Sequence, residues 1–146
     1  MTATATEAIR IDTEAALVET VCGILRADGW RTLTEVGLMT RSVDAIAIDA
    51  QGTVLAIEFK LRDWRSAVRQ VRDHKVACQM VAICMPRKAP SDSMREVLEQ
   101  EGIGFLAYDA TTGTLEFALQ PKPSTYYWET AGKWLTARIE ARCATV

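Results

Sequence analysis

Closely spaced metal ligands and long apolar runs are both missing from this sequence. It contains one histidine, His74, and four scattered cysteines that form no CxxC pair, whereas zinc sites need such residues at close spacing. No window approaches the roughly 18 apolar residues of a membrane span, and residues 1–10 lack the apolar core of a signal peptide. We therefore expect a cytoplasmic protein that is neither secreted nor inserted into a membrane.

The motifs of several common enzyme classes are also missing. The sequence has no P-loop, no dinucleotide-binding glycine pattern and no Ser/His/Asp arrangement for nucleophilic catalysis. It contains no internal repeat and no low-complexity linker. What is present is a chain of 146 residues, 49% hydrophobic and 25% charged, which is the size and composition of one globular domain.

The charge is unevenly distributed along the chain. A net charge of −2 argues against a nucleic-acid partner, because nucleic acids are bound largely through Lys and Arg. However, six basic and two acidic residues lie between Lys60 and Lys75, so this segment carries +4 and the remainder of the chain −6. We expect one positive side on an otherwise acidic protein.

Hydrophobic periodicity and turn residues predict the element order αβββαβαββ, followed by a C-terminal helix. A mixed α/β sheet with a parallel component accounts for this order. The predicted elements are a helix over 13–28, a strand over 31–36, a β-hairpin over 43–49 and 53–60, a helix over 63–75, a strand over 77–85, a helix over 91–101, strands over 104–109 and 113–119, and a helix over 124–142.

Three charged residues lie at the ends of the two hairpin strands, which are otherwise almost wholly apolar. Glu58 and Lys60 project to one side of the second strand, because residues two apart share a face. If the turn centres on Gln51, antiparallel pairing places Asp44, at the start of the first strand, opposite Glu58 or Phe59. Charges at the rim of a buried sheet need partners, and this cluster is therefore a candidate site.

A hard divalent cation is one such partner. Mg²⁺ commonly binds one or two carboxylates together with phosphate oxygens and waters, and Asp44, Glu58 and the backbone carbonyl of Phe59 offer suitable oxygens. Lys60 would then orient the attacking water and stabilise the charge that grows on the phosphate. The alternative is a solvated cross-strand ion pair at a sheet edge, which the short pattern D-x13-E-x-K alone favours.

The surroundings of these residues resemble the PD-(D/E)XK nuclease superfamily, which includes type II restriction enzymes, Holliday junction resolvases and RecB-like nuclease domains. The resemblance spans residues 14 to 85: an acidic helix that ends at Gly29, Asp44 opening a strand, Glu58-Phe59-Lys60 closing the next, and the helix in KLRDWRSAVRQ. Val43 replaces the proline of the motif.

The resemblance implies a restriction-endonuclease-like αβββαβ core in which Asp44 and Glu58 bind the metal and Lys60 is the catalytic lysine. Gln70 matches a glutamine that some RecB-like members carry near the active site. A helix-borne glutamate often completes the site in resolvase-like members, and we choose Glu19 for it, with Glu14 as the alternative.

A row of arginines follows the predicted site. Arg62, Arg65, Arg69 and Arg72 are spaced three, four and three residues apart, which places them along one face of a helix. We expect this stripe to contact a nucleic-acid backbone; the alternative is an ordinary solvated face. We expect the lone His74 to be a packing or surface residue, although some members of the superfamily have tyrosine at its position.

Together these patterns predict a deoxyribonuclease that depends on Mg²⁺ or Mn²⁺ and is an endonuclease rather than an exonuclease. The alternative functions are a catalytically inactive nucleic-acid-binding or assembly module with the same fold, and a homodimer whose main functional surface is the C-terminal helix. DNA repair, restriction and mobile-element defence all stay open. The predicted domains are a flexible N-terminus (1–12), the nuclease-like domain (13–120) and a C-terminal helical extension packed on that domain or on a partner (121–146).

Overall fold

The computed structural model describes residues 11–38 and 41–144. Residues 1–10 of the predicted flexible N-terminus lie outside that part of the chain. The strands are β1 (Arg31–Leu38), β2 (Arg41–Ile48), β3 (Val54–Phe59), β4 (Met80–Met85), β5 (Gly104–Asp109) and β6 (Thr114–Leu119). The helices are α1 (Glu14–Ala27), α2 (Trp64–His74), α3 (Asp92–Glu101) and α4 (Glu129–Ala144).

The six strands form one mixed sheet in which spatial order follows chain order, β1-β2-β3-β4-β5-β6. β1, β2 and β3 form an antiparallel meander, β3, β4 and β5 run parallel, and β6 returns antiparallel to β5. The parallel pairs are linked through α2 and α3, as parallel strands require a crossover connection. The predicted αβββαβ core and the mixed α/β class are confirmed.

Two apolar layers, one on each face of the sheet, hold the fold together. On one face, α1 packs Leu17 and Val21 onto a cluster that includes Phe59 of β3. On the other face, α2, α3 and α4 contribute a second cluster, which includes Val71 and Leu135. Because both faces of β3 are covered, all six of its residues are buried. Strands covered in this way have near-continuous apolar sequences.

The hairpin between β2 and β3 has a specific turn. Asp49 Oδ1 accepts hydrogen bonds from the backbone N–H groups of Gln51 and Thr53, at 2.9 and 2.8 Å. Gly52 takes a positive φ of 84°, which is a conformation that glycine adopts without a steric cost. This turn fixes the register of the two strands, with Ala45 opposite Ile57 and Ile48 opposite Val54.

Residues 124–128 do not form the first turn of the C-terminal helix, so the predicted start of that helix is wrong. Their polar groups bond to the segment between α2 and β4 instead: the Ser124 N–H donates to the carbonyl of Gln79, and the Trp128 N–H donates to that of Val76. The Ser124 hydroxyl also donates to the carbonyl of Lys75. These tertiary hydrogen bonds compete with helix formation, and α4 begins only at Glu129.

Helix α4 packs on the body of the domain through Ala131, Leu135 and Ile139, which are 1 to 3% exposed. Beside this buried row lies Trp134, which is 40% exposed and stacks under the guanidinium of Arg138. The predicted homodimer through this helix stays a prediction. None of the helices in the described part of the chain has the length and apolar character needed to cross a bilayer.

Candidate active site at the end of the hairpin

The hairpin brings Asp44 and Glu58 together, as the sequence predicts. Asp44 and Glu58 follow the pair of Ala45 and Ile57 in the register of the hairpin. The Asp44 N–H donates to Glu58 Oε1 at 3.4 Å. The Phe59 N–H donates to Asp44 Oδ2 at 2.9 Å. A residue's N–H and C=O point to the same side of a strand, so the Phe59 carbonyl also faces β2.

Both carboxyl groups are held in surroundings that disfavour their charged forms. Burial, and next the neighbouring Glu58 carboxyl, raise the pKa of Asp44 to about 6, against an opposite effect of the Phe59 N–H. Burial also raises the pKa of Glu58, while its hydrogen bonds with Asp44 and the charge of Lys60 act in the opposite direction. Two desolvated carboxyl groups in contact favour a proton or a cation between them.

Glu58 is buried against His74, a contact that the sequence analysis did not predict. Glu58 is 1% exposed, and so is His74; His74 Nε2 lies 2.8 Å from Glu58 Oε1. Burial lowers the pKa of His74 to about 4, with the charges of Asp73 and Asp44 acting in the opposite direction. This is therefore a hydrogen bond of a neutral imidazole near pH 7, and the burial of Glu58 excludes the solvated cross-strand ion pair.

Lys60 lies just beyond the end of β3 and reaches towards helix α1. Its side chain is 19% exposed, and its Nζ is 3.9 Å from Glu14 Oε1. Glu14, Glu19, Glu35 and Asp44 line one cleft of about 450 Å³ between α1 and the first two strands. The structure therefore brings both candidate glutamates into the cleft of Asp44, and it gives Glu14 the direct contact with Lys60.

Gln70 is placed on the same helix as His74, one turn earlier. Residues four apart lie on the same face of a helix, so Gln70 and His74 face the same end of the sheet. Within the described residues, Gln70 Oε1 and His74 Nδ1 are the buried side-chain atoms without a hydrogen-bond partner. Unpaired buried polar groups are costly, and they concentrate here at the candidate site.

The predicted arginine stripe is only partly formed. Arg62 precedes the helix, because Asp63 is the N-cap and α2 begins at Trp64. The predicted helical alignment is therefore wrong for Arg62. Arg72 lies on α2 as predicted and forms a bidentate ion pair with Glu101 of α3; contact of the four arginines with nucleic acid stays a prediction. Arg65 stacks over Trp64, with 4.4 Å between the guanidinium carbon and the ring centroid. Arg69 is exposed.

The donor set at the hairpin end fits a small hard cation. Mg²⁺ needs only one or two carboxylates and keeps several waters, and two carboxyl groups and a carbonyl meet this requirement. Across the described residues, no group of three or more His, Cys, Asp or Glu side chains is arranged to hold a metal ion, so the side chains alone do not form a closed, zinc-like cage.

No family model matches the chain, and no curated protein matches it. Among solved structures, a protein of unknown function from Silicibacter pomeroyi matches 88% of this chain over 84% of its own, with a TM-score of 0.66 and 19% identity. An XisH family protein from Nostoc punctiforme PCC 73102 matches 68% of this chain over 96% of its own, with a TM-score of 0.54 and 16% identity.

A repair endonuclease from Pyrococcus abyssi matches 70% of this chain over 48% of its own, with a TM-score of 0.45 and 18% identity. At these identities the likenesses concern the fold alone. The chain has a mixed α/β fold, a six-stranded sheet flanked by helices, and this architecture is consistent with a restriction-endonuclease-like fold.

Proposed function

We propose that the protein is a metal-dependent nuclease of the PD-(D/E)XK type that hydrolyses phosphodiester bonds in DNA. The observation that carries the proposal is the contact between Asp44 and Glu58 at the end of the hairpin, where burial disfavours both negative charges. Carboxyl groups in contact destabilise a fold unless a proton or a cation lies between them. Perturbed groups of this kind concentrate at functional sites.

In this proposal Asp44, Glu58 and the Phe59 carbonyl hold Mg²⁺ or Mn²⁺. The bound ion would supply polarisation of the scissile phosphate and acidification of a water. The hydrogen bond from the Phe59 N–H to Asp44 Oδ2 would orient the Asp44 carboxylate for this role. The apolar strands behind the two carboxylates exclude bulk water from that side of the site.

Lys60 supplies the positive charge of the mechanism. Its ammonium group would orient the attacking water and stabilise the charge that develops on the phosphate oxygens. Glu14 lies 3.9 Å from this ammonium and can hold it at the mouth of the cleft. We therefore assign the helix-borne carboxylate of the site to Glu14 in preference to Glu19, which lines the same cleft.

The DNA backbone would be bound beside the site by the arginines that stay available. Arg62, Arg65 and Arg69 are all exposed and follow Lys60 directly in the chain. The cleft itself is acidic, with four carboxylates against Arg26, so a bound cation would be needed to bring a phosphate close to Asp44. Metal dependence and DNA contact are thus two parts of one proposal.

The test compares wild type with Asp44→Ala and Lys60→Ala on supercoiled plasmid, linear duplex, single-stranded and branched DNA, with Mg²⁺, Mn²⁺ or EDTA. We expect cleavage by the wild type only with metal, and nicking of the closed plasmid if the enzyme is an endonuclease. Both variants should lose activity by at least about 100-fold. Lys133→Ala, which removes a lysine that is 78% exposed on α4, is the matched control and should cleave normally. Equal activity in all four proteins overturns the mechanism.

A second candidate function is a catalytically inactive DNA-binding module with this fold. The observation that favours it is that Glu58 Oε1 already has two hydrogen-bond partners, His74 Nε2 and the Asp44 N–H, so this oxygen is satisfied without a cation. This alternative predicts DNA binding that is the same in Mg²⁺ and in EDTA. It also predicts no heat on calorimetric titration with Mn²⁺.

A further inference from the structure

His74 is the side chain that fixes the orientation of Glu58. Its Nε2 lies 2.8 Å from Glu58 Oε1, and the two side chains are 1% and 2% exposed. The position of the ring is itself well determined, because α2 packs Ala67 and Val71 into the core. The His74 carbonyl also accepts hydrogen bonds from the N–H groups that follow the helix, at Ala77 and Cys78.

The location of the imidazole proton follows from the hydrogen bonds around the ring. Nδ1 has no partner, and a buried N–H without an acceptor is rarer in proteins than an acceptor without a donor. Glu58 Oε1 already accepts the Asp44 N–H at 3.4 Å, so this oxygen acts as an acceptor. Both facts place the proton on Nε2, from where it is donated to Glu58.

We propose that His74 is a positioning residue whose Nε2–H holds Glu58 Oε1 and thereby fixes the orientation in which this carboxylate would bind the divalent cation. This inference rests on the proposed function. Outer hydrogen bonds of this kind commonly orient metal-binding side chains, and their loss weakens metal affinity by about 10- to 100-fold. A merely structural histidine would fill space and affect folding alone.

The first test starts from the metal-free protein and needs no DNA, and the sequence makes it simple because His74 is the only histidine. Long-range ¹H–¹⁵N correlation spectra of the labelled, metal-free protein at pH 7.5 report directly which ring nitrogen carries the proton. We expect the Nε2–H tautomer, and we expect its signal to shift when Mg²⁺ is added. A proton on Nδ1, or a signal that is unchanged by saturating Mg²⁺, overturns the inference.

The second test compares two amide variants that differ mainly in reach. In H74Q the amide nitrogen can take the place of Nε2 and donate to Glu58, whereas in H74N it is too short to do so. We expect calorimetric Mn²⁺ affinity to fall by about 10- to 100-fold in H74N and to be largely retained in H74Q. Circular dichroism confirms that each variant is folded.

The outcomes separate this inference from the function on which it rests. If H74N is folded and binds Mn²⁺ as tightly as wild type does, the role of His74 is overturned but the proposed function is not. A wild-type protein that binds no Mn²⁺ and cleaves no DNA overturns the proposed function as well. If H74N does not fold, H74Q is compared with the metal-ligand variant Asp44→Ala. An equally large loss of Mn²⁺ affinity in both contradicts the role of His74, because H74Q can still donate the hydrogen bond to Glu58.

Discussion

Replacing Asp44 by asparagine should stabilise the metal-free protein at neutral pH while abolishing its proposed activity. Asparagine has nearly the same shape, and its side-chain oxygen can still accept the hydrogen bond that Phe59 donates to Asp44 Oδ2 at 2.9 Å. Its amide can donate to Glu58, where the native residue presents a second negative charge. The substitution therefore removes a buried like-charge contact and leaves the packing unchanged.

The magnitude follows from the pKa of Asp44, which is raised from 3.8 to about 6 by burial and by Glu58. Below pH 3.8 the carboxyl is protonated in both the folded and the unfolded state, and the raised pKa contributes its full stabilisation. As the pH rises to about 6, the unfolded state releases a proton that the folded state keeps, and this stability is lost. At about 1.36 kcal/mol for each pKa unit, the loss approaches 3 kcal/mol, and partial exposure of Asp44 reduces it to about 1–2 kcal/mol.

Differential scanning calorimetry in EDTA measures this effect. At pH 8 the Asp44→Asn variant should melt about 2–8 °C above wild type, from about 2–4 °C for each kcal/mol in a domain of this size. This difference should disappear only as the pH falls below 3.8, where the carboxyl is protonated in both states. With saturating Mg²⁺ only the wild type should gain stability. Asp28→Asn, at an exposed position that ends α1, is the matched control and should show neither effect. A variant that is no more stable than wild type at pH 8 refutes the reasoning.

Three further predictions concern the arginines of α2, the glutamates of the cleft and the end of α3. Arg69→Ala should weaken DNA binding equally for all sequences and reduce the slope of log affinity against log salt by about 1. Arg72→Ala, which removes an ion pair, should lower the melting temperature and leave that slope unchanged. Fluorescence anisotropy at several salt concentrations measures the slope for each variant. Glu14→Gln should slow plasmid cleavage more than Glu19→Gln, and equal rates would contradict the assignment of Glu14. Gly102→Ala should destabilise the fold by about 1 kcal/mol in urea titrations, because this C-cap has a φ of 70°; an unchanged midpoint would show that the strain is relieved elsewhere.

The contact between Asp44 and Glu58 could be predicted because it depends on local rules alone. Side chains alternate between the two faces of a strand, and the turn near Gln51 determines which residues of the two strands lie opposite one another. The observed register agrees with the predicted one. No long-range information is needed for this part of the site. The same reasoning predicted the covered central strands, since their apolar runs show no alternation.

The contacts of His74 and Arg72 could not be predicted in the same way. His74 contacts Glu58 of β3, and Arg72 contacts Glu101 of α3. Both contacts depend on how α2 packs against these elements, that is, on its distance from them and its rotation about its own axis. Helical periodicity gives the face on which a side chain lies but not which strand or helix that face meets. The hydrogen bonds of residues 124–128 to the segment before β4 are likewise tertiary, so periodicity placed the start of α4 too early.

The agreement between strand order and chain order bears on how this site assembles. Its two carboxylates sit on neighbouring strands joined by a tight turn, so bringing them together closes only a short loop, and the entropic cost of doing so is small. Strand β6 is added later in the chain, at the opposite edge of the sheet from β1, whereas α4 packs against β1, next to the hairpin. A change of length at the β6 edge would therefore leave the spacing of the two acidic groups unaltered.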